Sequence, residues 1–118
     1  MDLLENIAPE NLVNALTQAI MHHQLVGFVY RGTLRVVAPY ILGISRQEHA
    51  VISAVQLSGE STSGPLPGWR NFDLSDIEEL KLIAKLFRLR ADYNAKDPNF
   101  KTIVARAQNN IAGPSVRR

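Results

Sequence analysis

Apolar positions recur at helical spacing near the start of the chain. Leu12, Leu16, Ala19, Ile20 and His23 stand three and four residues apart and make one amphipathic stripe. Pro9 suits the first turn, where its missing N–H costs nothing, so the pattern predicts a helix over about 9–23. The period then changes to two. Val26, Phe28 and Tyr30 alternate with Leu25, Gly27 and Val29, as in a strand. Gly32-Thr33 reads as a tight hairpin turn, because glycine accepts positive φ. A second strand runs from Leu34 to about Leu42, and Pro39, which cannot donate to a ladder, marks an edge, a bulge or a sharp bend in it. Ser45-Arg46-Gln47-Glu48 reads as a turn, and Ala50 to Leu57 as a third strand rich in β-formers.

Residues 58–68 break the alternation with three Gly, two Pro, three Ser and one Thr, a composition that regular structure does not tolerate. Trp69 to Leu74 resumes a strand. Ser75 reads as an N-cap, and Glu78 three residues on completes a capping-box pattern. Leu80, Leu82, Ala84 and Leu86 alternate with Glu79, Lys81, Ile83 and Lys85, which favours a fifth strand within 78–87 over a helix continuing from Ser75. Asp97-Pro98 is a helix-start signal. Phe100, Ile103, Val104 and Ala107 supply an apolar stripe, and Gly113-Pro114 a stop, so a C-terminal helix is predicted over 97–111 with a frayed basic tail after it. Helix, four or five short strands, helix: the order predicts one α+β, mainly β domain over 1–118, an antiparallel β-barrel at about 25–87 flanked by two helices.

Composition agrees with a single globular unit of 118 residues, 46% of them hydrophobic. With no cysteine, disulfides and thiolate chemistry are excluded and the fold rests on its core. No apolar run approaches the roughly 18 residues that suggest a membrane span, and the acidic start, Met1 to Glu5, does not read as a signal peptide. A cytoplasmic protein without membrane contact is the expectation. The formal charge of +2 hides an asymmetry: residues 71–80 carry −4 and residues 81–118 carry +7. The basic part suits nucleic acid or another polyanion, and equally a solvated face.

Little in the chain points to catalysis. His22 and His23 are adjacent and diverge on a helix, so they do not chelate as i, i+4 ligands do. His49 stands alone in a turn, and Ser61 or Ser63 has no local signature of a nucleophile. The carboxylates Asp73, Asp76, Glu78 and Glu79 cluster around a turn as a solvated acidic cap. No enzyme activity, no metal site and no cofactor is expected.

The stretches Ala19-Ile20, Val26-x-Phe28-x-Tyr30 and Arg35-Val36-Val37-Ala38-Pro39, then Ile52 to Gln56, then Trp69-Arg70-x-Phe72-x-Leu74-x-x-Ile77, follow one another as in a WYL domain, which this chain resembles over about residues 13–90. The tripeptide that names the family falls on Ala50-Val51-Ile52, without its Trp and Tyr, and Trp69 offers an aromatic surface instead. The resemblance implies an Sm-like or SH3-like barrel. It also implies a ligand-sensing role in bacterial transcription regulation, with nucleotides or nucleic acid as ligand.

The candidate ligand-binding residues are Tyr30, Arg35, Gln56, Ser61, Ser63, Trp69 and Arg70. Arg70 follows the Ser/Gly loop and adjoins Trp69; a guanidinium binds phosphate bidentately and an indole stacks a base. Arg35 lies just past the hairpin turn, across the ladder from Tyr30, and the resemblance places a basic residue there on the ligand side. Gln56 ends a strand with an amide that suits reading a base edge or capping a neighbouring backbone group. Ser61 and Ser63 offer hydroxyls beside Gly59 and Gly64, as anion nests do. Each also has a plain structural role open to it: core rings for Tyr30 and Trp69, solvated side chains for the arginines, a linker for the serines. Arg88 and Arg90 extend a basic surface or a solvated one. Two other functions fit the same residues. One is a self-assembling or protein-interaction domain pairing through strand edges; the other is a single-stranded nucleic-acid binder using Trp69 and Tyr30 as platforms.

Overall fold

The computed structural model describes residues 6–62 and 64–108. A 3-10 turn, Pro9–Asn11, leads into α1, Leu12–Met21, whose buried positions are Leu16, Ala19 and Ile20. His23 follows at φ 53°, the left-handed conformation that ends helices. It stops the stripe rather than extending it, and β1, Gln24–Tyr30, begins at once. The hairpin to β2, Thr33–Ser45, turns at Arg31-Gly32, with φ of 51° and 85°. Two positive φ values in a row are the type I′ turn, whose twist matches its strands. The turn lies one residue earlier than glycine alone suggests.

The remaining strands are β3, Ala50–Gly59; β4, Gly68–Asp73; β5, Ile77–Leu86; and β6, Phe100–Arg106. Every ladder is antiparallel. The path is β4-β3-β2-β1-β5, with β6 paired to β2 off that path. Two expectations are corrected here. The Sm-like or SH3-like barrel is an open six-stranded sheet: among the described residues β4 and β5 end the path and share no ladder. The bends that suggested closure exist, as register shifts in the β1–β5 and β2–β3 ladders. The corner from β4 to β5, however, is a 3-10 turn, Leu74–Asp76, which adds no ladder bond. Its cap is Asp73, whose carboxylate accepts from the Ser75 N–H at 3.0 Å and the Ser75 hydroxyl at 2.7 Å; Ser75 is not the cap and Glu78 is in β5.

The second correction concerns the C-terminus. Residues 100–106 form a strand, not a helix, and the expected helix end at 109–111 lies outside the described residues. Thr102-Ile103-Val104 is a β-branched run that fits a pleat better than a helix. β2 supplies the reason for pairing. One of its edges meets β3 over most of its length, and the other meets β1 over 33–37 and β6 over 41–45. The partner changes around Pro39, which has no N–H to place. Without β6, the second half of that edge would leave its backbone unpaired. The Asp97 signal belongs to a turn: its carboxylate accepts from Asn99 N–H at 2.9 Å.

The core joins α1 to the sheet through Val26, Phe28, Val37, Ile52 and Leu80, all nearly inaccessible. Two aromatic groups extend it. Phe28, Tyr30 and Phe72 meet edge to face. Tyr40 contacts Trp69, Phe87 and Tyr93 with centroids at 4.7, 5.1 and 4.7 Å. Its hydroxyl accepts from Arg90 N–H at 3.0 Å and donates to the Arg88 carbonyl at 3.3 Å, so it fastens the segment after β5 onto the sheet.

Candidate functional site

The end of β1, the hairpin turn, β4 and the loop after β3 converge at one end of the sheet. Gly59 allows this: it sits at φ 106°, and a Cβ there would stand 2.3 Å from the Leu34 carbonyl oxygen. Only glycine lets β3 finish so close to β2 and launch the loop. Tyr30, Arg31, Arg35, Ser61, Thr62 and Arg70 line the resulting cleft of about 410 Å³. Among the described residues Glu60 is the one carboxylate on its wall.

The three arginines are held differently. Arg31 is exposed and pairs with Asp76 at 3.2 Å. Arg35 donates from Nε to the Thr33 hydroxyl at 2.9 Å and from Nη2 to the Tyr30 carbonyl at 3.1 Å. Arg31 and Arg35 both lie against the Tyr30 ring, at 5.2 and 5.4 Å from its centre, within cation–π range. The Tyr30 hydroxyl accepts from Asp73 N–H at 3.0 Å, which fixes the ring. Arg70 commits all three nitrogens to the loop and its own strand: Nε to the Ser61 hydroxyl at 3.0 Å, Nη1 to the Trp69 carbonyl at 2.8 Å, Nη2 to the Gly64 carbonyl at 2.9 Å. Among the described residues neither Arg35 nor Arg70 pairs with a carboxylate.

Of the residues singled out in the sequence, Tyr30, Arg35, Ser61 and Arg70 thus come together. Ser63 lies outside the described residues. Gln56 does not reach the cleft. It is fully buried, and its amide nitrogen donates to the carbonyls of Ser58 and Glu60 at 3.2 and 3.0 Å, bracing the loop from beneath. Trp69 faces the opposite side of β4, in the Tyr40 group. Its indole N–H donates to Asp92 at 3.0 Å, and Arg90 lies 5.9 Å from its ring centre. Arg90 also holds Asp92 through two hydrogen bonds of 2.9 and 3.0 Å. Chiefly through Arg90, then through Trp69, the Asp92 carboxyl is lowered to about 2. Tyr40 and Tyr93 are raised above the ordinary phenol value, mainly by burial.

The acidic cluster is used structurally: Asp76 meets Arg31, and Asp73 meets both Ser75 and His49, the latter at 2.8 Å. Asp73 is held below the usual carboxylate range first by the Ser75 hydrogen bonds, with His49 a smaller contributor. Among the described residues no three His, Asp or Glu gather as a metal site, and no helix is long and apolar enough to cross a membrane. Sequence reasoning passed over Tyr40, Ser53, Asn71 and Tyr93. Only the alternation of β4 carried a signal for Asn71; the others acquire their neighbours from distant segments.

No family model and no curated protein matches this chain. Among solved structures it is similar to proteasome accessory factor B/C (PafBC) of Arthrobacter aurescens, with a TM-score of 0.58 and 19% identity over 80% of this chain. The matched part is 15% of that protein's length. At this identity the likeness is one of fold.

Proposed function

We propose that this chain is a non-enzymatic, WYL-like ligand-binding module of a regulatory protein, whose arginine cleft takes a phosphate-bearing, nucleotide-like anion. The observation that carries this reading is the state of Arg35 and Arg70. Both are positioned by neutral acceptors, with no carboxylate partner among the described residues, on a cleft with one acidic side chain. A guanidinium pre-set by hydroxyls and carbonyls keeps its charge for an incoming anion. The fold likeness to one part of a protein named as an accessory factor supports a binding rather than a catalytic role. The WYL-like order of motifs supports nucleotide or nucleic acid as the class of anion, and transcription regulation in a bacterium as the setting.

The test is calorimetric titration with pyrophosphate and with a short single-stranded oligonucleotide, at low and moderate salt, on wild type and Arg35→Gln. Hydrogen bonds to a charged group contribute about 1.5–3 kcal/mol each, so loss of Arg35 weakens binding about tenfold or more. Binding also weakens with salt. Equal affinity in both proteins would exclude the arginine cleft as the site.

A second reading rests on the outer edge of β4, which has no ladder partner among the described residues. Unpaired strand edges are pairing surfaces, and a second copy of the chain is their natural partner. Light scattering at high concentration separates this from a monomeric binding module.

A further inference from the structure

Across β4 from the arginines lies a second cleft, of about 280 Å³. Its floor is a row of directly paired residues: Ile41 on β2, Ser53 on β3 and Asn71 on β4. Residues paired in this way project from one face of a sheet. Trp69 forms one wall, and Tyr93 and Asn99 of the segment after β5 form the other. That wall is fixed, because Tyr40 packs against both aromatic rings and its hydroxyl grips the Arg90 amide. The Trp69 and Tyr93 rings stand 6.3 Å apart and 21° from parallel.

The polar groups of this cleft are open where those of the arginine cleft are engaged. Ser53 is largely buried as a residue, and its hydroxyl, which bonds to no described residue, lines the cleft. The carboxamides of Asn71 and Asn99, also on the wall, make no side-chain hydrogen bond to the described residues. Two acids and a third amide on the wall are occupied: Asp92 by Arg90 and Trp69, Asp97 by the Asn99 N–H, and the Asn94 amide oxygen by the Lys96 N–H. Beside them the cavity presents the Ser53 hydroxyl, the amides of Asn71 and Asn99 and aromatic surfaces. Amides carry a donor and an acceptor in one plane and match the edge of a heteroaromatic base; the rings match its faces. Arg70 and Asn71 line both clefts, so the two meet around β4. β4 is an end strand whose outer edge carries no partner among the described residues.

We infer that this second cleft seats the base of the ligand whose phosphate lies on the arginines, with Ser53, Asn71 and Asn99 reading the base edge and Trp69 stacking on it. The inference rests on the phosphate reading above. The ligand bends around the free edge of β4, so one end strand separates its charged part from its uncharged part. Recognition is divided accordingly: the arginines set affinity for any phosphate, and the amide cleft sets which phosphate ester binds.

The probes are the four ribonucleoside 5′-monophosphates and ribose 5-phosphate, titrated into wild type, Ser53→Ala, Asn71→Ala and Arg35→Gln. Trp69 is the single tryptophan of the chain and reports on the cleft by fluorescence. At least one nucleotide should bind tenfold or more tighter than ribose 5-phosphate and quench Trp69, whereas ribose 5-phosphate should not quench. Ser53→Ala should shrink that preference severalfold and leave ribose 5-phosphate affinity unchanged, whereas Asn71→Ala, at the junction of the two clefts, should also shrink the preference. Neither variant removes a side-chain hydrogen bond among the described residues, and circular dichroism checks that the fold is intact. If all five phosphates bind equally and depend on Arg35, the phosphate reading stands and the base cleft is wrong. If none binds with dependence on Arg35, both are wrong.

Discussion

Arg35 and Arg70 share a cleft but not a role. Arg70 ties Ser61, Gly64 and its own strand together, so Arg70→Ala should free the loop. Faster amide exchange at residues 61–65 and a stability loss of about 2 kcal/mol are expected from hydrogen bonds to a charged donor. Arg35→Ala should leave exchange in that loop unchanged. Asp92 gives a pH prediction. Its carboxyl lies near 2 in the fold against an ordinary 3.8, so the folded state favours the ionised form. The stabilisation is complete above 3.8, falls as acid protonates the unfolded chain, and is gone below about 2. Acid unfolding followed at Trp69 should show wild type more stable than Asp92→Asn above pH 4, the two converging as the pH approaches 2. At this scale the sequence was informative where chemistry is local. Tyr30, Arg35, Ser61 and Arg70 flank a turn or a loop, and their types alone suggested an anion site. Gln56 sits equally close to the loop, but it is buried between β2 and β4, where it pairs with Val37 and Gly68. Tyr40 meets Arg90 across 50 residues, and no spacing rule reaches that far.

Alternation located β1 and β5, and β-forming residues located β3. β6 escaped both. Phe100, Ile103, Val104 and Ala107 imitate a helical stripe, yet Val104 is 55% exposed and Ala105 is buried, the pattern of a pleat. What makes the segment a strand is the half-edge of β2 left by β1, a feature of topology rather than of residues 100–106. Gly43 records the fit. A Cβ there would stand 2.2 Å from the Thr102 carbonyl oxygen and 2.8 Å from the Phe100 ring. Gly43→Ala should therefore cost about 1–3 kcal/mol, as overpacking does. Amides of residues 100–106 should lose protection before those of β1 and β3. Unchanged protection in β6 would show that β2 and β6 do not approach this closely.

For the whole molecule, placement adds what charge sums do not hold. The +7 of residues 81–118 suits a polyanion surface and equally a solvated face. The cations of the arginine cleft come from the hairpin turn, β2 and β4, in a part of the sequence with modest net charge. The open sheet also departs from the expected closure: across the 3-10 corner between β4 and β5, β4 has no ladder partner on its outer edge among the described residues, and both clefts border that strand. The most direct test of the central claim is an amide-resolved NMR titration with pyrophosphate at low salt. Saturable shifts should appear at Tyr30, Arg31, Arg35, Ser61 and Thr62, and vanish in Arg35→Gln. Shifts confined to residues 81–108, or undiminished in Arg35→Gln, would contradict an anion site built on the arginine cleft.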